Sequence, residues 1–527
     1  MTDSAPIVFI NPNLVIQRDD PFTTGIVYMP VGLAYAAASL RSAGFSVQVI
    51  DAYGEKPYQS RLTGKFALFG LDEEQISSRI PVDSLAIFIY AINLTNHIST
   101  IGIVQYLANE HPHIPVIVLE NTQAVTAYSL QFVMQEFFNE GASAVITGES
   151  ERRVVRLACW LKENQGECAL QTGMFAMDGL GTPDGYHPPL EVIEDLDTLS
   201  FPAWDLFPLE NYWKLRFGHS PVSSPDGRYM PLLTSRGCPY PCKFCVIPAT
   251  NKQKWRARSA KNVVDEIEDA IQHYQLNEFH IEDVDPTVSD QRIREICQEI
   301  IARGLSVIWK LGSGTKIETI RNEETIDLMA QAGCRYISIS PETGSPRLLK
   351  AMQKPFDLAH AVRLVKQMNL RGIFCQACFI LGFPGETDED RALTWSLVRD
   401  LTRQGIDEIA LFIITPVPGA AIYESTDSVP LSNSPQIQGY KSLSDLTFSP
   451  SWRSDYAILS RFRLKLYAAF LLWKLWYHPI KFLSQPFRFL VRRFETKMEM
   501  IPYRALVFQR LVRQAKRKVA ASAKAVL

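Results

Sequence analysis

The amino-acid sequence predicts an α/β protein in three parts: an open parallel-sheet domain, a partial (β/α)6 barrel, and a basic helical C-terminal region. Three observations lead there. Apolar strand-like runs alternate with helical segments in two separate blocks, the pattern that gives parallel sheets covered by helices. An apolar fraction of 46% over 527 residues supports two or three packed domains. The net charge of −2 conceals a segregation: residues 451–527 carry 17 Lys and Arg against 3 Asp and Glu, and the first 450 carry 37 against 53. Charge set apart in this way marks an interaction surface at the basic end.

The first block spans residues 5–160. Apolar strands are expected at 7–11, 46–50, 85–92, 116–119 and 144–147, with helices at 31–43, 97–110 and 127–139. Ligands of such sheets bind beyond the carboxyl ends of the strands. The positions to watch are therefore 11–13, 51–54, 93, 120–123 and 148–151, although any single one is more often ordinary turn chemistry. Residues 161–229 are rich in Pro and Gly and read as an ordered linker, with Asp195 to Asp205 docking one domain on the next.

The second block spans 230–450. Strands are expected at 232–235, 278–282, 306–311, 336–340, 373–381 and 408–414. Six such units are too few for a closed eight-fold barrel, so a partial barrel with its site at the strand C-termini is predicted. Directly after the first strand comes Cys238-Pro-Tyr-Pro-Cys242-Lys-Phe-Cys245. Three thiolates on one loop can hold three irons of a cubane cluster and leave the fourth iron open. A structural zinc would want a fourth Cys or His nearby, and the next histidine is His273. Cys375 and Cys378 lie three apart on an expected strand, so they point to opposite faces and read as core thiols.

The third block, 451–527, is helical, aromatic and basic. Its apolar run from Leu466 to Trp473 is bounded by Lys465 and Lys474, far short of the ~20 residues that cross a bilayer. On a helix Arg463, Lys474 and His478 fall within roughly 60° of one another. This suits either a helix lying in a membrane interface, with contact through residues 461–518, or a cap whose aromatics pack on the barrel and whose cations face water or the acidic body. Nucleic acid is a weaker partner, because the aromatics form one dense block and not spaced stacking platforms. Scattered cysteines and the Met1-Thr-Asp-Ser-Ala-Pro6 start, without a secretory pattern, suggest a cytoplasmic protein, peripheral on the inner face of the membrane if the tail binds lipid.

Across residues 5–425 these motifs resemble the cobalamin-binding radical S-adenosylmethionine (SAM) enzymes. The resemblance implies a [4Fe–4S] cluster on Cys238, Cys242 and Cys245, with SAM chelating the open iron. It implies SAM contacts from Phe244, from Glu282 and Asp283 in Glu282-Asp-Val-Asp285, from Glu342 in Ser340-Pro-Glu-Thr-Gly-Ser345, and from Gly382 in Gly382-Phe-Pro-Gly-Glu-Thr387. Pro416-Val-Pro-Gly419 matches the motif after the sixth strand.

In the first domain it implies Rossmann-like cobalamin binding by Pro30, Gly32, Asp51, Ala52, Gly148 and Glu149. Two departures stand out. Tyr53 occupies the slot where some relatives place an axial histidine, so a bound cobalamin would lack a protein imidazole below. Glu120-Asn-Thr-Gln123 replaces a Gly-Gly-Pro-His stretch, which would crowd the cofactor's tail.

The implied activity is C-methylation of an unactivated carbon in a small molecule through a 5′-deoxyadenosyl radical. An electron donor such as flavodoxin or ferredoxin would reduce the cluster, and the basic aromatic tail points to a lipid or other apolar metabolite. Two alternatives stay open: non-methylating cobalamin chemistry such as ring formation, rearrangement or carbon–carbon coupling, and a membrane-associated cofactor-binding or sensor protein without turnover. No catalytic acid or base is identified.

Overall fold

A computed structural model describes residues 5–18, 27–124, 126–164, 177–424, 443, 450 and 453–526, with side chains to 517. The expected linker residues 165–176 and most of 425–452 lie outside the described residues.

In the N-terminal domain five parallel strands run in the spatial order Val47–Asp51, Ile7–Asn11, Ala86–Ala91, Val116–Glu120, Ala144–Ile146. This is a doubly wound order, with its switch point at Ile7–Asn11. Four of the five read as near-continuous apolar runs and are buried along their length, because helices cover both faces. The stretch expected to be linker does more than connect. Its strands Leu180–Thr182 and Gly185–Tyr186 extend the sheet antiparallel, and its helix Leu209–Leu215 lies over the end of Val47–Asp51. A small antiparallel sheet (Leu14–Gln17, Phe66–Phe69, Ser60–Thr63) has no counterpart in the sequence reading.

The second domain is a parallel six-stranded sheet in sequential order: Met230–Leu232, Glu278–Ile281, Ile308–Thr315, Cys334–Glu342, Phe374–Leu381, Glu408–Ile413. Its helices start on side-chain caps: Ser259 on Ala260–Tyr274, Ser289 on Asp290–Ala302, and a Thr387/Asp390 capping box on Asp388–Gln404.

The C-terminal region is not a separate body. Helix Tyr456–Tyr477 packs on Asp388–Gln404 through Trp473 and Trp395, 5.4 Å apart. Helix Pro479–Val491 follows. The final helix, Lys497–Val526, crosses back over both domains. Met498 N–H donates to Glu408 at 2.6 Å, and Phe508 meets Phe69 of the first domain at 4.9 Å. Of the alternatives for this helix, Arg463 and Lys474 follow the one in which cations face the protein's own body: both are buried against the barrel. The barrel presents carbonyls there that no apolar side chain would satisfy, and Lys474 Nζ bonds the Asp407 carbonyl.

Candidate active site

The cysteine loop leaves the first barrel strand through a turn that only glycine fits. Gly237 has φ +75°, and a Cβ there would lie 2.0 Å from the Lys254 carbonyl oxygen. The loop is then held from two sides, by Lys243 N–H to Met352 O at 3.1 Å and Ile422 N–H to Lys243 O at 2.9 Å. All three cysteines are free thiols. Cys238 and Cys245 pack beside Val246, Ile247 and Val284. Burial raises each thiol, Cys245 to about 12, and the neighbouring thiols add to the rise on Cys238 and Cys245. Buried, mutually repelling thiolates need a cation among them, and a coordinated thiol loses its proton outright.

Three free thiols on one loop, each able to take a separate iron, are the soft donors that a cubane cluster selects, and the donor set fits the cluster.

Around the loop the remaining motif residues divide. Phe244 packs with Met352, Ile380, Phe383 and Ile414 at the ends of the last two strands. Glu342 is buried with φ +61°, a strained position for a side-chain-bearing residue. Lys354 pairs with it at 2.6 Å and also bonds Ser340 O. Burial would raise Glu282, but the His219 imidazole 2.5 Å away holds it below the usual carboxylate range. Asp283 is committed to the chain itself, accepting from Thr234 N–H, Thr234 Oγ1 and Ser235 Oγ at 2.6 Å each. Asp285 instead turns to the loop. Its charge raises Cys238, its Oδ2 is buried without a partner, and burial lifts its carboxyl to about 7. An acceptor left over beside three thiols fits an ammonium-bearing ligand such as SAM.

Gly382 has φ +74°, and a Cβ there would strike Leu459 at 2.5 Å and Arg453 at 2.9 Å. Arg453 donates to Gly382 O and Ile414 O at 3.0 Å each, so the C-terminal region closes on this motif. Cys375 and Cys378 separate as expected: Cys375 is buried in the main core, and Cys378 faces Ser338 and Gln376.

The C-terminal edge of the first sheet faces the barrel rim. Arg236, just before the cysteine loop, pairs with Glu151 at 2.6 Å, and Arg256 with Glu149 at 2.8 Å, all four buried. Asn251 donates to Thr122 O at 3.0 Å. Gly148 N–H donates to Glu120 Oε2 at 2.6 Å, and Leu130 N–H to Glu120 Oε1 at 2.8 Å. Asp51 accepts from Asn11, Gly54 N–H and Tyr212.

Pro30 opens helix Val31–Ser42, Gly32 on it packs against the Tyr90 hydroxyl, and Ala52 is buried at the Asp51 turn. Asn11 Oδ1, Tyr53 Oη, Asn251 Oδ1 and Glu151 Oε2 are buried with no partner along this seam. Unfilled donors and acceptors between two domains fit a large cofactor with a polar rim, such as cobalamin. Tyr53 supplies no imidazole. Sequence reading missed His219, Lys354, Arg256 and Tyr212, which carry no motif. Arg236 alone had a signal, its place beside Gly237.

Residues 232–398 match the radical SAM superfamily. The chain is 26% identical to the cytidylyl-2-hydroxyethylphosphonate methyltransferase of Streptomyces wedmorensis, over 79% of this chain and 80% of the relative. It is 28% identical to the anaerobic magnesium-protoporphyrin IX monomethyl ester cyclase of Rubrivivax gelatinosus, over 49% and 44%. Its fold is similar to that of TsrM from Kitasatospora setae, a radical SAM methyltransferase solved with tryptophan substrate and a SAM analogue: TM-score 0.57, 18% identity, 84% and 82% covered. The cobalamin-dependent radical SAM enzyme OxsB, solved with aqua-cobalamin and SAM, gives TM-score 0.57, 16% identity, 88% and 56% covered. Residues 232–398 therefore form a radical SAM domain, within a fold similar to that of TsrM and OxsB.

Proposed function

We propose that this protein is a cobalamin-dependent radical SAM C-methyltransferase acting on an unactivated carbon of a lipid or other apolar metabolite. The observation that carries the reading is the three-cysteine loop at the barrel rim, opposite the C-terminal edge of a doubly wound sheet. When bound, the cluster with SAM supplies a hydrogen-abstracting radical and cobalamin a transferable methyl group. The chain's own residues hold the parts. Cys238, Cys242 and Cys245 grip the cluster. Asp285, Glu282 and Glu342 offer acceptors to SAM, and Phe244 and Gly382 shape its apolar and backbone contacts. The Arg236–Glu151 and Arg256–Glu149 pairs set the distance between the two cofactor seats, where a small misplacement is costly in rate. The lipid substrate, a flavodoxin or ferredoxin donor, and a cytoplasmic location at the inner membrane face belong to the same reading and are supported by the tail's composition and the cluster's need for an electron.

Anaerobically purified protein is expected to hold about four iron and four sulfide per chain together with a corrinoid. Given reductant and methyl-labelled SAM, it should release 5′-deoxyadenosine and pass label to product. Zinc in place of iron, or reconstituted protein that never forms 5′-deoxyadenosine, sinks the reading. Turnover without label would favour the non-methylating alternative, to which the cyclase relative lends weight.

A further inference from the structure

The helix Pro479–Val491 is turned inside out. None of its residues is buried, and Ile480, Leu483, Phe487 and Leu490 are 85%, 65%, 67% and 78% exposed. At about 100° per residue these four share one arc of about 80°. Its cations lie on the other side. Lys481 bonds Gly405 O and Asp407 Oδ1 at 2.9 Å each, and Arg488 pairs with Glu499 at 2.6 Å. The preceding helix has the same polarity: Arg463 and Lys474 are buried, and Leu472 and Trp476 are 67% and 82% exposed. One apolar stripe therefore runs from Leu472 through Trp476 and Ile480 to Leu490.

Ordinary surface scatter does not explain it. Eight of the eighteen large apolar side chains exposed among the described residues fall between 472 and 491. Residues 456–493 contain no Asp or Glu, and Arg461, Lys465, Arg492 and Arg493 are exposed beside the stripe. A second copy docking here by two-fold symmetry would set this positive border against itself. An anionic bilayer accepts both features, the apolar side chains at the acyl boundary and the cations among the phosphates. No described helix is long and apolar enough to cross a membrane, so the helix would lie in the surface.

We propose that helix 479–491, with the outer face of helix 456–477, seats this protein on an anionic lipid surface. The proposal deepens the lipid part of the proposed function and does not depend on the reaction. The test is flotation of the full-length protein, under anaerobic conditions, with phosphatidylcholine vesicles with and without phosphatidylglycerol. Wild type is expected to float with the anionic vesicles and to be released by salt. The double substitution L483E/F487E should lower the bound fraction at least about tenfold, and R492E/R493E should abolish the preference for phosphatidylglycerol. Both variants change exposed positions, so iron content and 5′-deoxyadenosine release should stay at wild-type levels. Wild type that does not float, or L483E/F487E floating as well as wild type, overturns the proposal. So does a wild-type dimer that L483E/F487E dissociates with no vesicle binding, which would assign the stripe to a second copy. Loss of 5′-deoxyadenosine release in wild type would strike the proposed reaction and leave the flotation result standing.

Discussion

The barrel rim and the C-terminal edge of the first sheet are both strand-end surfaces rich in charged residues, yet they spend those residues differently. At the rim, ligand-competent groups are left over: three free thiols and the unpartnered Asp285 Oδ2. At the sheet edge the chain engages most of the carboxylates, and what is left over is Asn11 Oδ1, Tyr53 Oη, Asn251 Oδ1 and one oxygen of Glu151. Asp51 is held by Asn11, Gly54 and Tyr212, Glu149 by Arg256, and Glu120 by two backbone N–H groups. The same contrast runs inside the Glu282–Asp285 motif, where Asp283 braces Thr234 and Ser235 while Asp285 faces the cysteines. A carboxylate at the end of a strand is thus as often a tether between loops as a contact for a ligand, and its partners decide which.

The sharpest way to break this contrast is at the rim. Cys242→Ser should remove a cluster ligand, leaving iron content and 5′-deoxyadenosine release reduced beyond the roughly 10–100-fold typical of outer-sphere changes. Measured iron equal to wild type would place the ligands elsewhere.

A tether should instead reveal itself in stability. Arg256→Ala leaves Glu149 without its closest cationic partner in a buried site, and a loss of about 3–5 kcal/mol is expected in chemical denaturation. Iron bound per folded chain should not change. Although burial opposes it, Arg236 and Arg256 hold the Glu149 carboxyl below its ordinary value. The stability that Glu149 contributes is therefore present above the usual carboxylate pKa and lost as pH falls through the depressed one.

Glu120 gives the opposite sign. Burial raises it from 4.5 to about 7 despite bonds from Gly148 and Leu130. The unfolded chain ionises first, so the folded state binds the extra proton between those values and stability falls as pH rises from 4.5 to 7. The change through this group is on the order of 3 kcal/mol. Glu120→Gln should flatten that part of the stability–pH curve, and an unchanged slope would show that the carboxyl is not held neutral.

The smallest effect is expected at the linker helix. Tyr212→Phe deletes one hydrogen bond to Asp51, 2.8 Å long, and should cost about 1–3 kcal/mol while leaving the cluster untouched. If corrinoid retention drops as well, Asp51 contacts the cofactor and is more than a tether.

Much of this was legible in the chain. The parallel strands of both sheets were placed to within a few residues, because a strand buried on both faces must be apolar throughout, as in Ala86–Ala91 and Val116–Glu120. The cysteine loop was legible because its chemistry is local: three sulfurs within eight residues sit together however the rest folds. Leu14–Gln17, Ser60–Thr63 and Phe66–Phe69 escaped because four-residue strands carry little periodicity. His219 escaped because it meets Glu282 across 63 residues, with no motif of its own.

The sequence by itself determined the strand alternation, the position of the thiol loop and the basic character of the last 77 residues, since each depends on neighbours along the chain. Which way that basic segment faces was decided only in three dimensions. Periodicity gives a helix two sides without saying which side meets the protein. The carbonyls of Gly405 and Asp407 and the Asp407 carboxylate drew Lys474 and Lys481 inward, and the apolar stripe was left outside.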